Sequence, residues 1–382
     1  MDACDVLVVG GGPAGATCAW KLRQAGLDVV VVDRAVFPRD KPCAGWITPQ
    51  VIAAAELDVD DYRRGRTFQP ITGFRTGLIG RTHDVETRYG RPVSFGIRRC
   101  EFDHYLLDRS GARLEMGVAL ASLRREGDTW IVNNRIAAPM LVGAGGHFCP
   151  VARWLNPSVA NLPVVVAQEV EVPIDSDAAY AIEPETPELY FCGDLKGYGW
   201  CFRKERHLNV GLGRVDRRSL PRATADFVSF LQARRKLPDR MQWRWRGHAY
   251  LVSTPPRRHV VDYGVVLVGD AAGLAYPSSG EGIRPAVESG VMAAHAILAA
   301  DHRYERANLQ PYEQQLRDRF KLESEPPDRR PWQATLAATL APWFFDARWL
   351  VRHQVLDRWF LRAGEPALDS KSQATRTPST RM

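Results

Sequence analysis

Six residues near the N-terminus limit what this chain can fold into more than any other stretch. Gly10-Gly11-Gly12-Pro13-Ala14-Gly15 fits the pattern G-x-G-x-x-G. The loop follows residues 5–9 (Asp-Val-Leu-Val-Val), a short β-branched run that reads as a buried parallel strand. It opens residues 14–25, whose apolar positions include Cys18, Trp20 and Leu22 and read as a helix closed by Gly26. Residues 28–32 read as a second strand, ending at Asp33. The spacing predicts a βαβ half-unit. In such a unit Gly10 permits a tight turn, Gly12 lets the backbone touch a pyrophosphate, and Gly15 lets the helix pack close to the strand. Pro13 and Ala14 begin a helix whose free N–H groups and dipole favour phosphate. Asp33, about 20 positions on, is placed to accept hydrogen bonds from the adenosine ribose, with Arg34 beside it. The loop predicts a bound dinucleotide without separating FAD from NAD.

A second motif lies far along the chain. Val268-Gly269-Asp270-Ala271-Ala272-Gly273 follows the buried run 264–268. Then come Pro277-Ser278-Ser279-Gly280-Glu281-Gly282-Ile283 and a long helix over 283–300. Asp270, at a strand's carboxyl end, suits a polyol hydroxyl. The helix after Gly282 aims its positive end at whatever sits before it, which would stabilise a reduced flavin anion. Taken alone, this is also what an Asp-Ala turn and an ordinary helix cap look like.

The runs that read as parallel and buried lie at the start, near 140 and near 265. Strand-like, antiparallel material fills 66–96 and 162–250, the second stretch broken by a helix over 222–236, and residues 101–110 read as a separate helix. Residues 302–362 read as helical and dense in Trp, Arg and Phe, and the tail from 365 as disordered. The interleaving predicts a discontinuous cofactor domain (1–65, 97–160 and 255–300) with a substrate domain (66–96 and 161–254) threaded into it. C-terminal helices (301–364) follow. From Trp343 to Arg362, one helical stripe would carry Trp343, Ala347, Leu350, Val351, Val355 and Trp359. Such a stripe either packs on the domain or rests on a membrane surface.

Composition narrows the partners. A net charge of +7 favours anionic ones in general, and no compact basic stripe points to nucleic acid. Seven cysteines, at 4, 18, 43, 100, 149, 192 and 201, form no CxxC pair, so no zinc site is signalled and reduced cytosolic thiols are expected. No apolar run approaches the roughly 20 residues of a spanning helix, so a cytoplasmic protein is expected, with any membrane contact peripheral.

Together, Gly10–Gly15, Asp33, Arg99-Cys100-Glu101-Phe102-Asp103 and Gly269–Gly282 resemble the FAD-dependent group that includes aromatic hydroxylases and geranylgeranyl reductases. The resemblance implies an α/β fold: a glutathione-reductase-like Rossmann FAD domain, an inserted antiparallel-sheet substrate domain and a C-terminal helical region. It places Arg99 on the FAD pyrophosphate. Pro38-Arg39-Asp40-Lys41-Pro42-Cys43-Ala44-Gly45 is similar to the Lys-x-Cys-Gly-Gly loop near the flavin in the reductase branch, with Ala44 in place of the first glycine. Tyr198-Gly199-Trp200-Cys201-Phe202-Arg203-Lys204, with Asn209-Val210-Gly211-Leu212-Gly213, is similar to that branch's Tyr-x-Trp-x-Phe-Pro-Lys and Gly-x-Gly, Arg203 standing where proline is usual. Alternation puts Tyr198, Trp200 and Phe202 on one face, as a wall for an apolar substrate or as a core stripe. Cys43 is either a partner of the flavin or a small buried hydrophobe.

The hydroxylases' Ala-Asp-Gly is here Ala144-Gly145-Gly146, and no second G-x-G-x-x-G marks a dedicated NAD(P) domain. The halogenase Gly-Trp-x-Trp-x-Ile-Pro signature is absent. The resemblance therefore implies reduction of carbon–carbon double bonds in an isoprenoid or similar apolar substrate. NADPH or a ferredoxin-like protein would be the electron donor. The alternatives are an FAD monooxygenase of an aromatic or quinone-like compound and a flavoprotein that only carries electrons.

Overall fold

In the computed structural model, which describes residues 1–157, 164–174, 181–237, 244–251, 258–322 and 331–368, the β-branched runs flanking the glycine loop become the centre of a six-stranded sheet. Its order is Val261–Asp262, Val265–Leu267, Met140–Gly143, Val6–Val9, Val29–Asp33, Arg113–Met116. All neighbours are parallel except the antiparallel pair at the Val261 edge. The four middle strands are buried except at Asp33, as continuous Val/Leu runs must be when helices cover both faces. The glycine loop leads into the helix Pro13–Gln24, and the long apolar helix Ile283–Ala300 packs against it. This is a Rossmann-type α/β arrangement.

The second large layer is a seven-stranded sheet ordered Arg246–Leu251, Val164–Pro173, His207–Arg214, Gly197–Lys204, Glu188–Phe191, Gly73–Leu78, Asp84–Arg88. The runs 164–166 and 169–172, separate in the sequence pattern, join in one ten-residue strand. One pairing departs from the antiparallel expectation: Gly73–Leu78 runs parallel to Glu188–Phe191. No hairpin joins these two strands, so nothing local forces them to be antiparallel.

Pairing register sorts the side chains of this sheet. One face carries Tyr190, Cys201, Val210 and Leu212 and is covered by the helix Leu220–Ala233. The other carries Tyr198, Trp200, Phe202 and Lys204, with Leu189 and Phe191 on one flank. Asn209, Gly211, Glu169, Glu171, Arg246 and His248 continue it on the other flank. That second face is apolar at one end and charged at the other.

The C-terminal stripe is corrected by the structure. The helix Pro331–Asp346 ends at Asp346, Ala347 is extended, and a short turn leads into a π-helix, Val351–Phe360. Trp343 and Trp349 point outward, while Val351, Val355, Leu356 and Phe360 are buried against Trp46, Phe191 and Trp200. The chain breaks because one straight helix could not place both sets: the apolar positions after 350 gain more from covering the sheet than from continuing the stripe. Tyr89 pins the π-helix, its hydroxyl donating to Asp357 at 2.7 Å. The boundaries expected near 160 and 254, and the tail beyond 368, lie outside the described residues. Among the described residues no helix is long and apolar enough to cross a membrane, and no cluster suits a metal ion.

Candidate active site

The carboxyl ends of four parallel strands converge on one cavity of about 1220 Å³. Val9 and Gly10, Asp33, Ala144, and Val268 with Asp270 all line it. The volume exceeds the roughly 300–1,000 Å³ of ordinary small-molecule pockets. It continues from the glycine loop to the aromatic face of the seven-stranded sheet.

At the loop, Gly10 has φ +118°, and its N–H donates to Val32 O at 2.8 Å. A Cβ here would lie 2.4 Å from Ala144 O, so both backbone angle and space demand glycine. Gly15 lies behind the cavity, where a Cβ would meet Gly10 O at 1.9 Å. The helix Pro13–Gln24 starts at Gly12 with no capping side chain and no acid in its first turn. Its first N–H groups are therefore free for an anion. Asp33 accepts from Gly11 N at 2.7 Å and Ala35 N at 2.8 Å, which holds the loop against the strand end.

Cations gather beside the loop. Arg99, at the start of the helix Arg99–Asp108, makes a two-pronged contact with fully buried Asp103, at 2.7 and 2.8 Å. Arg39 approaches the same carboxylate at 3.1 Å. Burial by itself would lower Arg99, but Asp103 and Cys43 overcome it and keep it charged. One carboxylate thus serves two guanidinium groups. Lys41 donates to His248 Nε2 at 2.6 Å. Burial, with Arg99 nearby, brings Lys41 down to about 8 against the pull of Asp270. Burial and then Lys41 push His248 down to about 2, so it is a neutral acceptor. Glycines that leave room for a backbone-bound phosphate and a surplus of cations over Asp103 fit a dinucleotide pyrophosphate.

Of the residues singled out from sequence, Gly10, Gly12, Pro13, Ala14, Asp33, Arg34, Lys41, Cys43, Ala44, Arg99, Asp270, Gly280, Gly282, Ile283, Tyr198 and Trp200 line the cavity. Gly269 supports it from behind, against Ala14 and Ala286. Phe202 is not on the lining. It is fully buried behind Trp46, ring centroids 5.9 Å apart. Trp46 itself lines the cavity, and Phe360 of the π-helix closes the wall, 5.7 Å from Trp46 and 5.2 Å from Tyr198. The Tyr198 hydroxyl donates to Ser279 O, tying the wall to the loop before the long helix.

Sequence reasoning missed Phe360, His248, Tyr250, Glu169 and Glu281 as lining residues. Glu169 carried a signal: a charged residue in an apolar strand, on the same alternation as Ala167. Phe360 carried none, because only the break at Ala347 turns it inward.

The family model described as FAD dependent oxidoreductase matches residues 5–78. A menaquinone reductase of Mycobacterium tuberculosis is 30% identical over 333 residues, covering 78% of each chain. A geranylgeranyl diphosphate reductase of Rhodobacter capsulatus is 30% identical, covering 77% of this chain and 75% of the other. Among solved structures, a geranylgeranyl bacteriochlorophyll reductase-like protein of Thermoplasma acidophilum has a TM-score of 0.72 at 23% identity. That alignment covers 91% of this chain and 88% of the other.

Proposed function

Because the chain belongs to the geranylgeranyl reductase family of FAD-dependent oxidoreductases, we propose that it reduces carbon–carbon double bonds of an isoprenoid or similarly apolar substrate. The observation that carries this is the continuity of the cavity: it runs unbroken from the glycine loop, past Lys41–Gly45, to the wall of Tyr198, Trp200, Trp46 and Phe360. We assign the six-stranded sheet to the cofactor and the seven-stranded sheet to the substrate.

The bound flavin supplies the hydride, from N5 of its reduced form. The residues of this chain do the rest. The free N–H groups of Gly12 and Ala14, with Arg99, would hold the pyrophosphate. Asp33 would take the adenosine ribose and Asp270 the ribitol. The start of the helix Ile283–Ala300 would face the charge on the reduced ring. Tyr198, Trp200 and Phe360 exclude water and align the apolar chain, and Cys43 sits where the two halves of the cavity meet. NADPH or a ferredoxin-like protein would supply the electrons. Peripheral lipid contact would use the outer surface of the C-terminal cap, where Trp343 and Trp349 are 68% and 65% exposed beside Arg348.

The test is to photoreduce the holoenzyme without oxygen and mix it with polyprenyl substrates carried in liposomes. Each reduced double bond is expected to add two hydrogens to the product mass, and the protein is expected to sediment with the vesicles. Unchanged lipid mass, together with fast oxygen consumption gated by an aromatic compound, would replace the reductase with a monooxygenase.

Lys41 gives a pH dependence. An anionic cofactor in the cavity favours the protonated lysine, so bound Lys41 titrates above the value of about 8 in the free protein. FAD affinity is then full below about pH 8 and falls with rising pH, by about tenfold per unit at most, until the bound form also loses its proton. Flavin-fluorescence titrations between pH 7 and 10 should show this slope in the wild type and not in Lys41→Met.

A further inference from the structure

Two carboxylates, Glu169 and Glu171, sit two residues apart on the inner face of the Val164–Pro173 strand, and their surroundings divide them. Glu171 accepts from Lys204 Nζ at 2.7 Å and Arg98 Nε at 2.9 Å. Among the described residues Glu169 has no such ion pair. Its partners are the backbone N–H of Cys43 and Asn209, whose Nδ2 lies 3.4 Å from Glu169 Oε2 and 3.1 Å from Glu171 Oε2. The same amide approaches Cys43 O at 3.4 Å, and its Oδ1 accepts from Trp200 Nε1 at 2.7 Å.

The register explains how Glu169 reaches the substrate wall. Trp200, Gly211 and Glu169 stand opposite one another on three adjacent strands. A Cβ on Gly211 would lie 2.2 Å from the Trp200 ring, so the missing side chain lets the indole lie across the middle strand toward Glu169. Glu169, Trp200 and Cys43 all line the cavity. Glu169 is thus at the border between the charged and apolar ends of one sheet face.

We propose that Glu169 is the acid that delivers the proton to the substrate double bond, a role that rests on the reductase reading above. In the step, the π bond breaks and hydride from the reduced flavin forms one new C–H bond. The second C–H bond forms as the Glu169 O–H bond breaks. The alkene gains two electrons, the flavin loses two, and the Glu169 carboxylate recovers a proton from water.

The electrostatics agree with this division of labour. Burial raises Glu169 to about 7, with Lys204 pulling it down and Glu171 pushing it up. Burial would raise Glu171 as well, but Lys204 and Arg98 bring it down to about 2. Carboxyl pairs driven apart in this way are how a site separates an acid from a permanent anion. Facing Glu169 are Lys204 on the next strand but one, Arg246 and His248 on the neighbouring strand, and Lys41 and Cys43 on the loop. Arg246 is itself paired with Asp40, and His248 is neutral.

The experiment follows single-turnover reduction of a polyprenyl substrate by photoreduced holoenzyme across pH 5–9. A donor must be protonated, so the wild-type rate should hold below about pH 7 and fall tenfold per unit above it. Glu169→Gln should bind FAD and photoreduce normally, lose roughly 10²–10⁴-fold in rate at unchanged KM, and lose the alkaline limb. Glu169→Asp should keep a limb, displaced in pH. A wild-type rate in Glu169→Gln would overturn the assignment. So would a limb that Glu169→Asp leaves in place, or one that disappears instead in Glu281→Gln, the other cavity carboxyl raised to about 7. Wild-type enzyme that leaves the lipid unreduced counts against the reductase reading itself, and the donor falls with it.

Discussion

Gly10→Ala is expected to yield a colourless protein. Alanine at φ +118° is strained by about 1–3 kcal/mol, and its methyl group would sit 2.4 Å from Ala144 O and 2.7 Å from Gly145 N. Neither neighbour can give way cheaply, because both are backbone at the end of the Met140–Gly143 strand. The loop must shift, and with it the N–H groups of Gly12 and Ala14. A total cost of about 2–4 kcal/mol corresponds to roughly 30- to 1,000-fold weaker FAD binding. The ratio of flavin to protein absorbance after purification, and FAD titration of the apoprotein, measure it. Gly26→Ala is the control: Gly26 also has positive φ, at +90°, but nothing lies within 4 Å of its Cβ position. It should cost some stability and leave flavin content unchanged. Full flavin content in Gly10→Ala would falsify the placement of the cofactor at this loop.

Asp103→Asn should have the second large effect. Asp103 is fully buried and holds Arg99 by two hydrogen bonds, with Arg39 at 3.1 Å. Losing its charge leaves two guanidinium groups facing each other without an anion. Breaking such a buried pair costs about 3–5 kcal/mol. The apoprotein should therefore melt well below the wild type. Added FAD should raise the variant's melting temperature more than it raises that of the wild type, because the pyrophosphate replaces the missing negative charge. Equal shifts in both proteins would mean that Arg99 and Arg39 do not face the phosphates.

The two halves of the cavity were legible in the sequence to different degrees. In the half proposed for the cofactor, the positions singled out from sequence come together along one cavity. Gly10, Asp33, Arg99, Asp270 and Ile283 each sit at the end of a strand or the start of a helix. Those positions follow from local backbone geometry that a few neighbouring residues impose, whereas the contact expected of Arg99 came from the resemblance. The substrate half was legible only as a pattern. Alternation put Tyr198, Trp200 and Phe202 on one face, and they share it. It could not say that Trp200 would line the cavity while Phe202 sat behind Trp46, because that depends on what covers the face.

The covering segment illustrates the limit. A periodic stripe from Trp343 to Trp359 was consistent with one helix, and periodicity carries no information about a break whose benefit is burial against a distant sheet. The same holds for Glu169 and Glu171, which the sequence presents as near twins. They part only when Lys204 and Arg98, from other elements, reach one and not the other.

The glycine loop shows both sides. Its residues alone predict a dinucleotide turn, and the backbone at Gly10 takes a φ of +118° that no side chain can occupy against the next strand without strain. What lies beyond it depended on assembly. Only when the four strand ends meet the seven-stranded sheet do Arg99, Lys41 and Asp270 share one cavity with Trp200 and Phe360. Short-range sterics act within a few residues of chain and can be read there. Burial and charge pairing act between elements that are far apart in sequence, and they exist only once the chain has folded.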